Sequence, residues 1–321
     1  MKLTVFISNY NYGSLISRSL DAVLSQSRLP DEILITDDGS TDNSVDVIKE
    51  YARKHSIIKP HFRPKNMGSV SAAREMVERA EGDYIIPLSS DDFILPDFFR
   101  LGAEMLEENP QASMCFGDFF TFDEPSQRLE LWRTGWSEDP VYWDGPTYAE
   151  GVKGDLVPGH VSMINRRMLL DAGGFREDLK WHCDWFVLLA LAFRHGVCYV
   201  PEPFGVRRRH GDSYSATGRR DRSQQDAILR RILDLLVSEE YRDVLPGFVD
   251  SCSMLFFRNE MHRVFMTDPS LWTPERIMLC MPVLQSRAEE CRAQGQKLWD
   301  ARLDPFETEY LDLIKHRLGI E

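Results

Sequence analysis

The sequence has few of the features that mark a disulfide framework, a membrane span or a nucleic-acid-binding protein. Its six cysteines stand apart with no C-x-x-C pair, a pattern that favours reduced and mostly buried thiols. The longest uninterrupted apolar run has nine residues (185–193), whereas about 20 are needed to cross a bilayer. Acidic side chains outnumber basic ones by 51 to 38, a net charge of −13, and this opposes attachment to polyphosphate. We therefore expect no transmembrane segment and no nucleic-acid partner.

The amino terminus also lacks the signature of a secretory leader. Residues 1–7 contain one lysine and an apolar run that is too short for a signal sequence, and no small-residue cleavage site follows. The prediction is a cytoplasmic protein, either free or peripheral to the inner face of the membrane. The 321 residues, of which 43% are apolar, suffice for one large domain or two ordinary ones.

Strand and helix signals alternate over the first 120 residues. Apolar runs at 3–7, 33–35 and 84–88, with a weaker run at 57–62, predict short strands. Two stripes at helical spacing lie between them: Ile16, Leu20, Val23, Leu24 and Ala73, Met76, Val77, Ala80. This order predicts a mainly parallel sheet with right-handed crossovers, whose ligands bind outside the carboxyl ends of the strands.

Three of the loops that follow these strands are unusually polar. They are residues 8–13 (SNYNYG), 37–42 (DDGSTD) and 89–92 (SSDD). Each alone is equally explained as a turn followed by a helix cap, because Asp, Asn, Ser and Gly serve both purposes. Turns and helix caps explain two pairs of adjacent carboxylates at strand ends less well. Neighbouring Asp residues repel each other unless a cation or a hydrogen-bond donor compensates their charge.

Five motifs in order resemble the nucleotide-sugar half of the family 2 inverting glycosyltransferases of the GT-A fold. They are residues 8–11 (SNYN), 25–27 (SQS), 32–40 (EILITDDGS), 66–68 (NMG) with 73–74 (AR), and 88–92 (LSSDD). The resemblance continues beyond that half with 173–175 (GGF) and 184–185 (DW). The resemblance implies an α/β, GT-A (Rossmann-like) fold with a mixed, mainly parallel sheet flanked by helices and a C-terminal helical extension. It weakens after about residue 218. The implied domains are a catalytic domain at 1–220, divided into a nucleotide-sugar half (1–118) and an acceptor half (119–220), and a helical extension at 221–321.

The resemblance also implies roles for individual residues of the donor site. Tyr10 would stack on the nucleotide base and Asp38 would bond its edge, while Ser8 and Arg74 would belong to the same nucleotide-sugar site. The pair Asp91 and Asp92 matches the D-x-D region, with Asp91 on the ribose side and Asp92 holding Mn²⁺ or Mg²⁺ on the diphosphate. Many relatives read D-x-D-D where this chain has SSDD, so one expected carboxylate is a serine.

Asp184 matches the carboxylate that deprotonates the acceptor hydroxyl in that family. It opens a helical stripe formed by Trp185, Leu188, Leu189 and Ala192, so a rigid element would hold it in the first turn. A positioned base contributes about 10²- to 10⁴-fold to such a step. The alternative is a plain N-terminal carboxylate favoured by the helix dipole.

Two histidines and two tryptophans complete the candidate site. His210, in a basic run (207–210, RRRH), would complete the metal shell while its neighbouring arginines meet phosphate; the alternative is a solvated basic patch. His160 is a candidate for the sugar or acceptor pocket, or a satisfied structural histidine. Trp136 and Trp143, in the aromatic-rich segment 131–148, would form a wall of the acceptor site, or else anchor the loop to the core.

The C-terminal residues show helical stripes but no catalytic motif. Ile228, Ile232, Leu235 and Leu236 form one stripe, and Tyr310, Leu313 and Ile314 form another. Packing on the catalytic domain is the simplest use of these helices, and a homodimer through them is a further expectation.

Together these features predict a metal-dependent inverting glycosyltransferase. Its donor would be a nucleoside diphosphate sugar, a UDP-sugar by preference, and its acceptor a hydroxyl of a glycan or lipid-linked glycan in surface polysaccharide assembly. The alternatives are a sugar nucleotidyltransferase and a non-catalytic scaffold of the same fold that binds glycan or protein. The first alternative expects a glycine-rich basic loop after the first strand, where this chain has one glycine and no lysine.

Overall fold

The computed structural model describes residues 1–152, 154, 157–211 and 214–293. Within this part of the chain ten strands form one sheet: β1 (Leu3–Asn9), β2 (Glu32–Asp37), β3 (Ile58–Phe62), β4 (Tyr84–Ser89), β5 (Phe93–Ile94), β6 (Met114–Asp123), β7 (Arg128–Trp132), β8 (Val141–Trp143), β9 (Ser162–Asn165) and β10 (Val197–Arg209). The helices are α1 (Ile16–Leu24), α2 (Ser44–Lys54), α3 (Ser69–Arg79), α4 (Phe98–Glu108), α5 (Gly145–Gly151), α6 (Arg166–Asp171), α7 (Cys183–His195), α8 (Tyr214–Arg220), α9 (Arg222–Leu236), α10 (Leu245–Asp250), α11 (Arg258–Thr267) and α12 (Pro274–Ala293).

The sheet is mixed and mainly parallel, as predicted. Its order is β3-β2-β1-β4-β9-β6-β10-β5, with β7 paired to β6 and β8 paired to β10. The first four of these strands are parallel, β9 runs antiparallel to both β4 and β6, and β6 is again parallel to β10. The carboxyl ends of β1, β2 and β4 therefore meet at one edge, with the end of β10 on the same side.

Strand β10 begins with the apolar run 197–200 and continues to Arg209, nine residues further. Two prolines, Pro201 and Pro203, interrupt the apolar pattern, and the register between β10 and β6 shifts there. Pro203 lies opposite Asp118 between two register shifts, and regular pairing resumes at Gly205 opposite Phe119. A β-bulge absorbs the prolines, and the strand reaches the site edge although its apolar pattern ends early.

Each face of the sheet carries its own apolar layer because strand side chains alternate. Val5 and Ile7 of β1 pack with α1 and α4 residues on one face. Phe6 points to the other face, where α3 and α7 cover the sheet. Residues 185–192 of α7 are all buried, so this helix is the centre of the larger layer.

The C-terminal helices pack on the catalytic half. Buried side chains of α9, α11 and α12 belong to the same apolar cluster as Trp185 of α7. The predicted boundary at 220/221 falls between α8 and α9 and stays a prediction. The stripe predicted at Tyr310, Leu313 and Ile314 lies outside the described residues.

Two expectations from composition concern thiols and membrane spans. Cys115, Cys183, Cys198 and Cys280 are buried free thiols, in line with the predicted reduced state. Among the described helices none combines the length and apolarity that a membrane crossing needs.

Candidate functional site

The polar loops predicted to carry the site meet at the carboxyl ends of β1, β2 and β4. Ser8 lies opposite Ser89 in the register of β1 and β4, and Asn9 lies opposite Asp37 in that of β1 and β2. The Asn9 Nδ2 atom donates to Asp37 Oδ2 at 2.7 Å. The Ser90 hydroxyl donates to the Ser8 carbonyl at 2.9 Å. The parallel register thus brings three loops that are distant in sequence to one edge.

Asp38 is buried at this edge and held by three donors. Its Oδ1 accepts from the Met67 amide at 2.9 Å and from Arg63 Nη1 at 3.2 Å, and its Oδ2 accepts from the Gly68 amide at 2.7 Å. Gly68 has φ of +97°, which suits glycine and lets its N–H face the carboxylate. The carboxylate is thereby fixed in one orientation.

Arg63, which the sequence analysis missed, is a central residue of this network. It is buried, and its guanidinium also reaches Glu75 Oε2 at 2.8 Å. It follows the weakest of the predicted strands, β3, and no motif marks it. The sequence offered one clue to Arg63: it is a charged residue directly after a strand that ends at the site edge.

The other predicted nucleotide residues are more open. Tyr10 is 43% exposed at the end of β1, so its ring is free for stacking. Arg74 lies on the outer face of α3 with an exposed side chain and a 3.6 Å ion pair to Glu177 Oε1. The described contacts of Asp38 thus involve Arg63 and not Arg74.

His210 and Asp91 meet across the site although 119 residues separate them. His210 Nε2 lies 2.9 Å from Asp91 Oδ2 and 3.3 Å from the Tyr12 hydroxyl. The sequence analysis paired His210 with Asp92 as metal ligands, whereas the structure brings it to Asp91. The long β10 strand delivers His210 to this position, since it ends one residue earlier at Arg209.

The Asp92 side chain is buried, and its carboxylate binds the backbone of β10. Its Oδ1 accepts from the Arg208 amide at 2.7 Å. Burial, with the nearby charge of Asp91, raises the pKa of Asp92 to about 8. The two adjacent carboxylates therefore differ in character: Asp91 faces the histidine and Asp92 ties β4 to β10.

Asp91 and His210 are a carboxylate and an imidazole at a separation that two ligands of one divalent cation can adopt. Two ligands of one ion at right angles lie about 3 Å apart when each bond is about 2.1 Å, and the observed separation is 2.9 Å. No group of three or more His, Cys, Asp or Glu side chains within the described part of the chain forms a complete metal cage. Mg²⁺ commonly uses one or two carboxylates and takes its other ligands from water and substrate phosphates.

Asp184 lies in the first turn of α7, as predicted. Its Oδ1 accepts from the Trp185 amide at 2.7 Å, and a methyl group on Gly159 would lie 3.6 Å from its Oδ2. Solvent reaches this side chain, but protein atoms crowd the space around it. This loss of hydration raises the pKa of Asp184. The carboxylate is therefore accessible and more basic than an ordinary aspartate.

His160 lies next to Gly159 in a 3₁₀ turn (Gly159–Val161). Its ring meets Phe119 edge to face at 4.5 Å between centroids. Burial, and then the charge of Arg207, lowers the pKa of His160 to about 3, so the ring is neutral. Its Nε2 is buried without a hydrogen-bond partner, and this disfavours the alternative of a satisfied structural histidine.

The three arginines before His210 contact residues of β6 and the residue that follows it, although the Arg209 side chain is 61% exposed. Arg208 pairs with Glu124 at 2.6 Å and Arg209 with Asp123 at 2.8 Å, both across the β6–β10 pairing. Arg207 lies over the Phe119 ring at 5.1 Å. These arginines join β10 to β6 and support the position of His210.

Trp136 and Trp143 belong to an aromatic cluster on the core. Their rings stack at 5.6 Å, and Trp136 also meets Phe116 edge to face at 5.3 Å. Trp136 borders a cavity of about 640 Å³ together with the buried Asp118 and the Tyr199 ring. Trp143 therefore anchors its loop, while Trp136 both anchors and lines an open space.

Comparison with known proteins agrees with this architecture. Residues 4–171 match the protein family described as Glycosyl transferase family 2. An uncharacterized glycosyltransferase of Nostoc sp. is 27% identical over 244 residues, which cover 71% of this chain and 70% of that protein. Among solved structures, Staphylococcus aureus TarS 1–349 in complex with UDP-GlcNAc has a TM-score of 0.65 at 16% identity, with 93% of each chain covered. The mannosyltransferase PcManGT of Pyrobaculum calidifontis in complex with GDP-Man and Mn²⁺ has a TM-score of 0.55 at 14% identity, covering 98% of this chain and 86% of that one.

The fold and the site edge define a glycosyltransferase of the GT-A class. Because the family match extends over just over half of the chain, the chain belongs to glycosyltransferase family 2. The resemblance inferred from the five motifs is confirmed.

Proposed function

We propose that this protein is an inverting glycosyltransferase that takes its sugar from a nucleoside diphosphate sugar with the help of a divalent cation. The observation that carries the proposal is the convergence of Asp38, Asp91 and His210 at one sheet edge, beside the exposed ring of Tyr10. Such a donor requires a ring that stacks on its base, a fixed acceptor for a base N–H, and a pair of ligands for the cation.

The held Asp38 carboxylate suits a base that offers N–H groups. Its two oxygens already accept three hydrogen bonds, all from the protein, and a carboxylate has about four acceptor positions. One further N–H donor, such as that of a uracil ring, completes the set. The TarS neighbour is described with UDP-GlcNAc and the PcManGT neighbour with GDP-Man, so we place UDP-sugars first and test GDP-sugars beside them.

Asp91 and His210 would hold Mn²⁺ or Mg²⁺ on the diphosphate. The bound cation stabilises the negative charge that develops on the leaving diphosphate. The imidazole of His210 would supply nitrogen and the carboxylate of Asp91 oxygen, a donor set that accepts Mn²⁺ readily. The bond from Asp92 to the Arg208 amide would keep His210 beside Asp91.

Asp184 would act as the base in a single displacement. The acceptor hydroxyl loses its proton to the carboxylate while its oxygen bonds to the anomeric carbon. The bond from that carbon to the diphosphate breaks, and its electron pair remains on the phosphate oxygen. One displacement inverts the anomeric centre, and the raised pKa of Asp184 suits a base.

The acceptor would be a hydroxyl of a glycan or of a lipid-linked glycan, in surface polysaccharide assembly. His160 lies in the turn whose Gly159 neighbours Asp184, and its buried Nε2 has no hydrogen-bond partner. Trp136 adds an aromatic surface beside a cavity. These residues support an acceptor region on the α7 side of the sheet.

The experiment incubates the protein with Mn²⁺ and a panel of UDP- and GDP-sugars and measures the release of nucleoside diphosphate. The proposal expects slow release from one donor, and loss of that release in Asp91→Asn. Exchange of pyrophosphate instead would indicate a nucleotidyltransferase. Absence of both activities, and of nucleotide binding by calorimetry, would leave a scaffold and refute the proposal.

A further inference from the structure

We propose that Gln225 is a positioning residue for Asp184, so that the C-terminal helices set the geometry of the catalytic base. This inference rests on the proposed function, because it concerns the residue assigned there as the base. The connection between the two residues is the turn Glu177–His182, which leads directly into α7.

The Gln225 side chain binds both residues at the end of that turn. Gln225 is 1% exposed on α9. Its Oε1 lies 2.8 Å from Trp181 Nε1 and 3.0 Å from His182 Nε2. An indole N–H can only donate, so the amide oxygen must face Trp181. With that oxygen as the shared acceptor, His182 must donate from Nε2.

His182 therefore has a fixed tautomer and a fixed ring position. Burial lowers the pKa of His182 to about 4, so the ring is neutral and Nε2 holds its single proton. The His182 ring also meets Phe257, at 4.7 Å between centroids. The residue two positions before Asp184 is thus held between α9 and the 3₁₀ segment Ser253–Phe257, both in the predicted extension.

The turn needs this support because its backbone is strained. Lys180 has φ of 46° and ψ of −121°, and this divides the 3₁₀ segment in two. A lysine at positive φ persists where surrounding contacts over-determine it. Residues of α9 supply such contacts on the same turn, since Gln224 bonds Lys180 and Arg231 Nε bonds Asp178 Oδ2 at 2.8 Å.

The chemistry of position 225 favours a geometric role over simple packing. Gln225 Nε2 is buried and has no hydrogen-bond partner, which costs stability that an apolar side chain would not lose. An apolar side chain could not accept the two hydrogen bonds that the amide accepts at Oε1. They define the direction in which α7 starts, and Asp184 lies in the first turn of that helix.

The test compares Gln225→Leu, which removes the acceptor at similar size, with Gln225→Glu, whose carboxylate can accept both bonds. Leu236→Ala is the matched control, because Leu236 is also buried on α9 but lies 11 residues, or about 16 Å, further along the helix. The kcat of nucleoside diphosphate release from the active donor and the Kd of UDP are measured for each variant, with the UDP stoichiometry giving the folded fraction.

The inference expects kcat per folded molecule to fall about ten- to a hundredfold in Gln225→Leu, with nucleotide Kd within about twofold of the parent. Gln225→Glu should restore kcat to within about threefold, and Leu236→Ala should leave it unchanged. Equal kcat in Gln225→Leu and Leu236→Ala would overturn the inference. If Gln225→Leu does not fold, Trp181→Phe removes one of the two bonds from its other end, and a kcat equal to that of Leu236→Ala would again overturn the inference.

Asp184→Asn separates this inference from the function on which it rests. Full activity in Asp184→Asn refutes the base assignment itself. Loss of activity in Asp184→Asn, with full activity in Gln225→Leu, refutes the positioning role alone.

Discussion

Replacing Arg63 by leucine tests whether the buried ionic network behind Asp38 is as important as its geometry indicates. The Arg63 side chain is 5% exposed and pairs with Asp38 at 3.2 Å and with Glu75 at 2.8 Å. Removing one partner of a buried ion pair costs about 3–5 kcal/mol, since it leaves the remaining charge uncompensated. Asp38 keeps its two amide donors, so we expect a loss of about 3 kcal/mol in the free energy of unfolding.

The same substitution should weaken nucleotide binding, because Asp38 loses the hydrogen bond from Arg63 that helps to fix the orientation of its carboxylate. A tenfold rise in Kd corresponds to about 1.4 kcal/mol, close to the value of one hydrogen bond to a charged group. Urea unfolding and calorimetry with UDP measure the two effects. Arg79→Leu is the control: Arg79 pairs with the same Glu75 from an exposed position, and its loss should cost at most about 0.5 kcal/mol. Equal destabilisation by the two substitutions, or an unchanged Kd in Arg63→Leu, would refute the reasoning.

Three further predictions concern the base, the cation and a glycine. Asp184→Asn should keep the nucleotide Kd and lower kcat by about 10²- to 10⁴-fold. Because crowding by protein atoms raises the pKa of the accessible Asp184 carboxylate and a base must be ionised, kcat of the parent should fall on acidification at a higher pH than for an ordinary aspartate. A pH profile identical in Asp184→Asn would contradict this. EDTA should abolish donor turnover and Mn²⁺ should restore it. The Asp91→Asn variant should need a higher Mn²⁺ concentration for its half-maximal rate. An unaltered Mn²⁺ requirement in that variant would show that Asp91 is not a ligand of the cation. Gly39→Ala should lower the free energy of unfolding in urea by about 1–2 kcal/mol or more. Gly39 has φ of +75°, and an added Cβ would lie 2.7 Å from the Lys65 backbone. Stability equal to the parent would show that the Gly39 loop can move away from Lys65.

Local patterns predicted the elements of the donor half with their order. The run at 3–7 is the core of β1, and the stripe that begins at Ile16 is α1 over its full length. These predictions hold because alternation and helical spacing are properties of a few consecutive residues. The prolines of β10 show the limit, since the apolar pattern ends at Val200 while the strand continues through pairing with β6.

The candidate site was predictable in its residue types and only partly in its contacts. Tyr10, Asp38 and Asp91 follow strands whose parallel order places them at one edge. The partner of Asp38 was not predictable, because Arg63 stands after a weak strand and no motif distinguishes it from other arginines. Likewise, the pattern could not decide whether Asp91 or Asp92 meets His210.

The sequence by itself determined the alternation of strands and helices, the positions of the polar loops and the family, because each depends on short-range spacing. The tertiary structure alone decided which polar side chains meet: Asp91 with His210 over 119 residues, and Gln225 with Trp181 over 44 residues. Such pairs form when whole elements pack, and burial then selects the partner, since a buried charge or amide must find a donor or acceptor wherever the fold supplies one. That selection acts on the assembled chain and leaves little trace in any local stretch of it.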